Sequence, residues 1–271
     1  MHQISIVQRK RSTRRRAQRV ARRVLPFLAA LFLATPIAGP VNKSVAGGRK
    51  AGPVPFAAAA GQAPAYRQQL RAAYQALGAA AQGLPFATFE RAATGYRNLQ
   101  AAGKLAADKQ RLTVVDFDLP STEKRLWVLD LATNQVLFHT LVAHGHNSGE
   151  NEATRFSNTD ASNMSSLGFY VTEGEYSGKH GRSLRLVGQD EGWNTNAATR
   201  SIVMHGADYV SEDFIRQNGR LGRSLGCPAL PMADKDAIIE AVAGGTCLFI
   251  NKSDAGYASR YLHQVKATTA S

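Results

Sequence analysis

The chain has 271 residues, of which 44% are hydrophobic, enough to bury a core and incompatible with disorder throughout. Its formal charge of +13 suggests a nucleic-acid or membrane surface, but the distribution argues otherwise. Residues 1 to 46 contain ten Lys/Arg and no Asp or Glu, leaving 33 − 10 = 23 basic against 20 acidic residues, or +3, for the remainder. No nucleic-acid partner is expected.

From the amino terminus, the basic run Arg9 to Arg23 precedes an apolar stretch from Val24 to Gly39, and Ser44-Val45-Ala46 follows with small residues. This is the layout of a secretory signal peptide, predicted over residues 1–46 and implying export to the periplasm or cell envelope. The stretch is shorter than the roughly 20 apolar residues of a membrane span and contains Pro26 and Pro36. Contact with a membrane would therefore come only through this leader, if it stays uncleaved. Residues 47–63 are rich in Ala, Gly and Pro and read as a linker.

Residues 64–109 read as a helical region. Tyr66, Leu70, Tyr74 and Leu77, then Phe86, Phe89, Ala93, Tyr96 and Leu99, recur at helical spacing, with a break near Gly83-Leu84-Pro85. Past Arg111 the pattern shifts to short β-type runs at 112–117, 126–131, 136–142, 168–172, 184–187, 201–204 and 246–250, and a helix is expected over 232–242. The fold class expected is mainly β with a small α-helical amino-terminal region, a catalytic domain over 110–252 and a tail over 253–271. The polar stretch from His144 to Ser166 is longer than an ordinary turn, as functional loops often are.

Chemistry concentrates where an apolar run ends in Met204-His205-Gly206 and where Gly222-Arg223-Ser224-Leu225-Gly226-Cys227-Pro228 follows. A thiol attacks as thiolate, which a nearby imidazole or other positive charge favours, so Cys227 and His205 form a candidate nucleophile and base. The amides of Gly226 and Cys227 are candidate oxyanion donors; Pro228 has none. A backbone carbonyl near Gly206 could fix the imidazole tautomer, with Asp208 as a second candidate.

Other readings compete. A Cys227–Cys247 disulfide is the structural alternative for both cysteines in an oxidising compartment, although Cys247 sits in an apolar run where free cysteine packs as a small hydrophobe. Gly222 to Gly226 also fits G-x-S-x-G, but the α/β-hydrolase elbow needs a helix next, which Pro228 and Pro231 interrupt. His139, His144, His146 and His180 lack acidic partners at ligand spacing; they read as polar loop histidines, and no metal or cofactor is expected. His180, Tyr176 and Arg182 are groove candidates.

With SIVMHG at 201–206 and SLGC at 224–227, and with the stretches at 121–150, 165–186 and 220–230, the sequence resembles the L,D-transpeptidase (YkuD-like) catalytic domains, in the murein L,D-transpeptidase branch, over roughly residues 85–252. The resemblance implies that Cys227 attacks the diaminopimelate carbonyl of a peptidoglycan stem tetrapeptide. D-Alanine leaves, and an amine on a neighbouring stem takes the acyl group. It carries over His205 as base and acid, Gly206 as donor of the orienting carbonyl and Gly226 and Cys227 as oxyanion amides, with Ser224 supporting the turn or substrate. Many members have His before the Gly-Cys and Asn or Arg soon after it; this chain has Leu225 and Pro228-Ala229, which leaves Arg223 as a candidate for a substrate carboxylate. An L,D-carboxypeptidase and a non-catalytic cell-wall-binding protein are the alternatives.

Overall fold

The computed structural model describes residues 64–78, 83–253 and 256–263; the expected leader and linker lie outside the described residues. Two helices come first, α1 (Pro64–Ala76) and α2 (Phe86–Ala101), followed by strands β1 (Arg111–Asp116), β2 (Leu126–Asp130), β3 (Gln135–Thr140), β4 (Gly168–Gly178), β5 (Gly181–Gly188) and β6 (Val203–Gly206). Helix α3 (Glu212–Asn218), strand β7 (Ala229–Leu230), helix α4 (Lys235–Val242) and strand β8 (Cys247–Asn251) complete the domain. Single 3₁₀ turns lie at His146–Ser148 and Arg260–Leu262.

The strands form one eight-stranded sheet in the order β3-β2-β1-β8-β4-β5-β6-β7. Most neighbours are antiparallel; β1 with β8 and β6 with β7 are the parallel pairs. The parallel joint at β6–β7 brings the histidine and cysteine segments side by side, although Cys227 precedes β7 by two residues. Central strands buried on both faces should be continuously apolar, and β8 and β2 are buried at every position.

The expected mainly β architecture with a small helical amino-terminal part is what the chain adopts. The helices belong to the same core as the sheet: Leu70, Phe89, Ala92 and Leu99 cluster with Val114, Phe169, Leu248 and Phe249. A Cβ on Gly95 of α2 would fall 1.9 Å from Phe169 Cζ, so α2 rests directly on β4.

Three elements differ from the sequence reading. Helix α3 was not predicted, although its ends are written in the chain: the Ser211 hydroxyl accepts from the Phe214 amide and Gly219 closes it at φ 72°. It buries no residue, so no apolar period betrays it. Strand β7 is two residues long, too short for any periodic signal. The stretch from Gly256 to Leu262, expected within a tail, is packed: Tyr257 and Tyr261 are buried, and the Tyr257 and Ser259 hydroxyls both donate to the buried Asp190 carboxylate.

Candidate active site

Cys227 enters the site through backbone geometry. Gly226 before it has φ 126°, a region that side chains avoid, and a Cβ there would lie 2.8 Å from the Met164 carbonyl oxygen. The hydroxyl of Ser224 closes the turn, accepting from the Gly226 amide at 3.0 Å and donating to the Cys227 carbonyl at 2.6 Å. On one side the turn is held by the segment 143–146: Ser224 N donates to His144 O at 3.0 Å, and His146 N donates to Ser224 O at 2.7 Å.

On the other side lies β6. In the parallel register His205 faces Ala229, so two residues back Cys227 comes opposite Val203, whose amide donates to the Cys227 sulfur at 3.4 Å. The thiol in turn points at the Ser201 carbonyl, 3.7 Å away. Val203 and His205 are two apart on one strand, so their side chains share a face, about 6.6 Å apart along it. The Cys227 sulfur thus sits against the β6 backbone two residues before His205.

His205 is 3% exposed. Its Nδ1 lies 2.9 Å from the Gly206 carbonyl, which can only accept, so the proton sits on Nδ1 and the Nε2 lone pair is left free. Burial holds its pKa below the usual imidazole value, favouring the neutral ring. Gly206 must itself be small, because a Cβ would meet Lys235 Cδ at 2.1 Å and Met232 Sδ at 2.9 Å. His180, from the β4–β5 hairpin, stacks on His205 with ring centroids 4.4 Å apart.

The two cysteines are both free thiols, so they form no disulfide. Burial pushes the Cys227 thiol above its ordinary value; the Val203 amide, then the Arg200 guanidinium, pull the other way.

The other expected residues sort by face. Tyr176 and Ser183 pair directly, and Ser183 pairs with His205, so Tyr176 shares the imidazole's side, its ring under the Arg185 guanidinium at 4.6 Å. Arg182 is offset by one and points to the opposite face, where it binds Glu175 and the Asp236 carbonyl of α4. That register removes it from the groove. Arg223 is likewise committed elsewhere: its Nη1 donates to Gly149 O at 3.0 Å and to Glu150 Oε1 at 2.7 Å, fastening the 146–150 loop. Ser224 supports the turn, and the Gly226 amide, spent on Ser224, is not presented to an oxyanion; the Cys227 amide lies against its own sulfur.

His144 was expected as a polar loop histidine and is instead wholly buried, receiving Arg125 Nη2 on Nδ1 at 2.8 Å and meeting Phe117 edge-on. Burial, aided by the Arg125 charge, lowers its pKa to about 4. The G-x-S-x-G segment leads into strand β7 rather than a helix. Among the described residues no group of three or more His, Cys, Asp or Glu is arranged to hold a metal, and no helix is long and apolar enough to cross a membrane.

Sequence reasoning passed over Arg200. Its guanidinium donates to Ser157 O, Ser166 Oγ, Ser162 Oγ and Met164 O, gathering the polar loop against the cysteine turn. An arginine just before a strand carries no motif signal; only the folded loop reveals its partners.

The family described as the L,D-transpeptidase catalytic domain matches residues 80–251. No curated protein matches the chain. Among solved structures, an L,D-transpeptidase from Mycobacterium smegmatis is 12% identical at a TM-score of 0.34, covering 53% of this chain and 59% of its own. An L,D-transpeptidase from Stackebrandtia nassauensis is 18% identical, at 0.32, over 62% and 68%. A helical cell shape determining protein from Campylobacter jejuni is 14% identical, at 0.35, over 63% and 59%. The chain thus spans under two thirds of the length of the mycobacterial structure.

Proposed function

Because the chain belongs to the L,D-transpeptidase catalytic domain family, we propose that it is an exported cysteine acyltransferase acting on peptidoglycan stem peptides. The observation that carries this reading is the β6–β7 register. It sets the Cys227 sulfur on the Val203 amide, two residues before His205 on the same strand.

In the first half-reaction the Cys227 side chain turns from the Ser201 carbonyl toward His205 Nε2, which takes the thiol proton. The thiolate adds to the diaminopimelate carbonyl of a stem tetrapeptide. The carbon–nitrogen bond to terminal D-alanine breaks, and His205 returns the proton to the departing amine, leaving a thioester on Cys227. In the second half an amine on a neighbouring stem attacks the thioester. His205 takes its proton, the carbon–sulfur bond breaks, the thiol is restored and a 3-3 cross-link forms.

The orientation of the imidazole rests on a carbonyl, a weaker partner than a carboxylate, which suits a thiol because its proton is more easily removed than that of a serine. Residues 1–46, by their basic and apolar layout, serve as the export leader in this proposal.

Purified protein incubated with disaccharide-tetrapeptide muropeptides should release D-alanine, and Cys227→Ala should abolish the release. A carbapenem should add to Cys227 as a single covalent mass. Wild-type release from Cys227→Ala would overturn the proposal.

A further inference from the structure

We propose that Arg200 is the positioning residue of the nucleophile: its guanidinium fastens the 157–166 loop over the Gly226 turn and sets the positive charge that the Cys227 sulfur meets. The proposal rests on the reading of Cys227 as nucleophile and deepens it, because it names a cation from outside the cysteine segment, whose own Arg223 is bound to Gly149 and Glu150.

Three observations converge on it. Arg200 Nη2 lies on the Gly226 turn, 3.2 Å from where a Cβ would stand, and donates to the Met164 carbonyl at 2.6 Å; that same oxygen would meet the Gly226 Cβ at 2.8 Å. The missing side chain of Gly226 is the space in which guanidinium, loop carbonyl and turn meet. The residue after Arg200, Ser201, takes φ 54°, unusual for a non-glycine, and its carbonyl is the one the thiol points at. One end of the guanidinium therefore grips four loop oxygens, while its own backbone neighbour receives the thiol.

The chemistry follows from charge placement. A half-buried sulfur is ionised at a cost unless a cation or hydrogen-bond donors face it. His205 in its neutral form supplies no charge, and its burial resists protonation. Arg200 is the cation that favours the thiolate, and Cys227 in turn favours the charged guanidinium. The other titratable groups around the pair are Tyr170 and Asp160 on the Arg200 side, Tyr209 on the Cys227 side, and the stacked His205 and His180 along β6. The four partners of the guanidinium are backbone oxygens or serine hydroxyls that a lysine, with one ammonium, cannot span together.

The test is the pH dependence of iodoacetamide alkylation of native full-length protein, read by intact mass, with Cys227→Ala as the blank for Cys247. Arg200→Met should move the midpoint of the rate–pH curve up by about one unit, a roughly tenfold slower reaction at neutral pH, with the rates converging at high pH. Arg200→Lys should restore most of the midpoint but leave the melting temperature lowered, because it keeps the charge and loses the fork of loop contacts. If Arg200→Met does not fold, the neutral Arg200→Gln, which keeps hydrogen-bond donors for the loop, decides: a midpoint raised as for a charge loss supports the proposal and one equal to that of the wild type overturns it. An Arg200→Met protein that melts earlier with an unchanged midpoint makes Arg200 a loop clamp only and overturns the charge role. D-Alanine release is measured in parallel; its absence from wild-type protein with intact thiol titration would sink the reaction and leave the Arg200 result standing.

Discussion

Cys227 and Cys247 are the two cysteines of one sheet, and they show how much a strand's place in it decides. Cys247 opens β8, between β1 and β4, with every residue of the strand buried, and its thiol is held far from ionisation by desolvation with no donor to offset it. Cys227 lies at the edge of the sheet beside a two-residue strand, is only half-buried, and receives an amide, with a guanidinium nearby. Burial raises both thiols; only the edge site has polar partners pulling back. The centre of the sheet makes cysteine a small hydrophobe, and its edge gives it polar partners.

The contrast is broken first by reactivity. Iodoacetamide should modify Cys227 in native protein and reach Cys247 only after unfolding, a ratio of rates on the order of a thousandfold or more, since access to Cys247 requires opening of the core. Equal labelling of both in the native state would erase the comparison. The next effect is at the backbone: Gly226→Ala should reduce D-alanine release by more than tenfold and lower stability by about 1–3 kcal/mol, because φ 126° and the Met164 carbonyl both oppose a Cβ. Urea denaturation followed by circular dichroism reads the stability, and an unchanged midpoint would show that the turn relaxes freely.

Acid sharpens the comparison through His144, which underlies the cysteine turn by way of the Ser224 amide. Its pKa falls from 6.5 to about 4 on folding, so the unfolded chain binds more protons between those values. Stability is therefore full above about 6.5 and is lost as the pH falls toward 4, by at most about 3 kcal/mol for this group. His144→Gln should flatten that limb of the melting temperature against pH, and a slope identical to that of the wild type would assign the acid loss elsewhere. The smallest effect is expected from Leu225→Ser: the side chain is 71% exposed, so stability should change by less than about 0.5 kcal/mol. A larger loss would place Leu225 in packing that its exposure does not suggest.

The sequence marked much of this fold because the relevant signals are local. Alternating and continuous apolar runs locate seven of the eight strands, and Gly83-Leu84-Pro85 marks the break between α1 and α2. Strand β7 and helix α3 escape, one because two residues hold no period and the other because it buries nothing. At the site, His205, Gly206, Ser224 and Cys227 stand out as residue types in two short motifs. Arg182 reads as equally eligible, and only the β4–β5 register, offset by one residue, sends it to the other face.

What the chain determines by itself is the presence of a thiol, an imidazole and the small residues that let a turn form around them, because those depend on side-chain chemistry and backbone freedom within a few positions. Which amide supports the sulfur, which carbonyl accepts its hydrogen bond, and which arginine holds the loop at its turn are decided by β6 lying parallel to β7 and by the loop 157–166 closing over Gly226. Those partners are brought together from more than twenty residues apart. Their contacts depend on strand register and loop closure, which arise when the whole sheet packs.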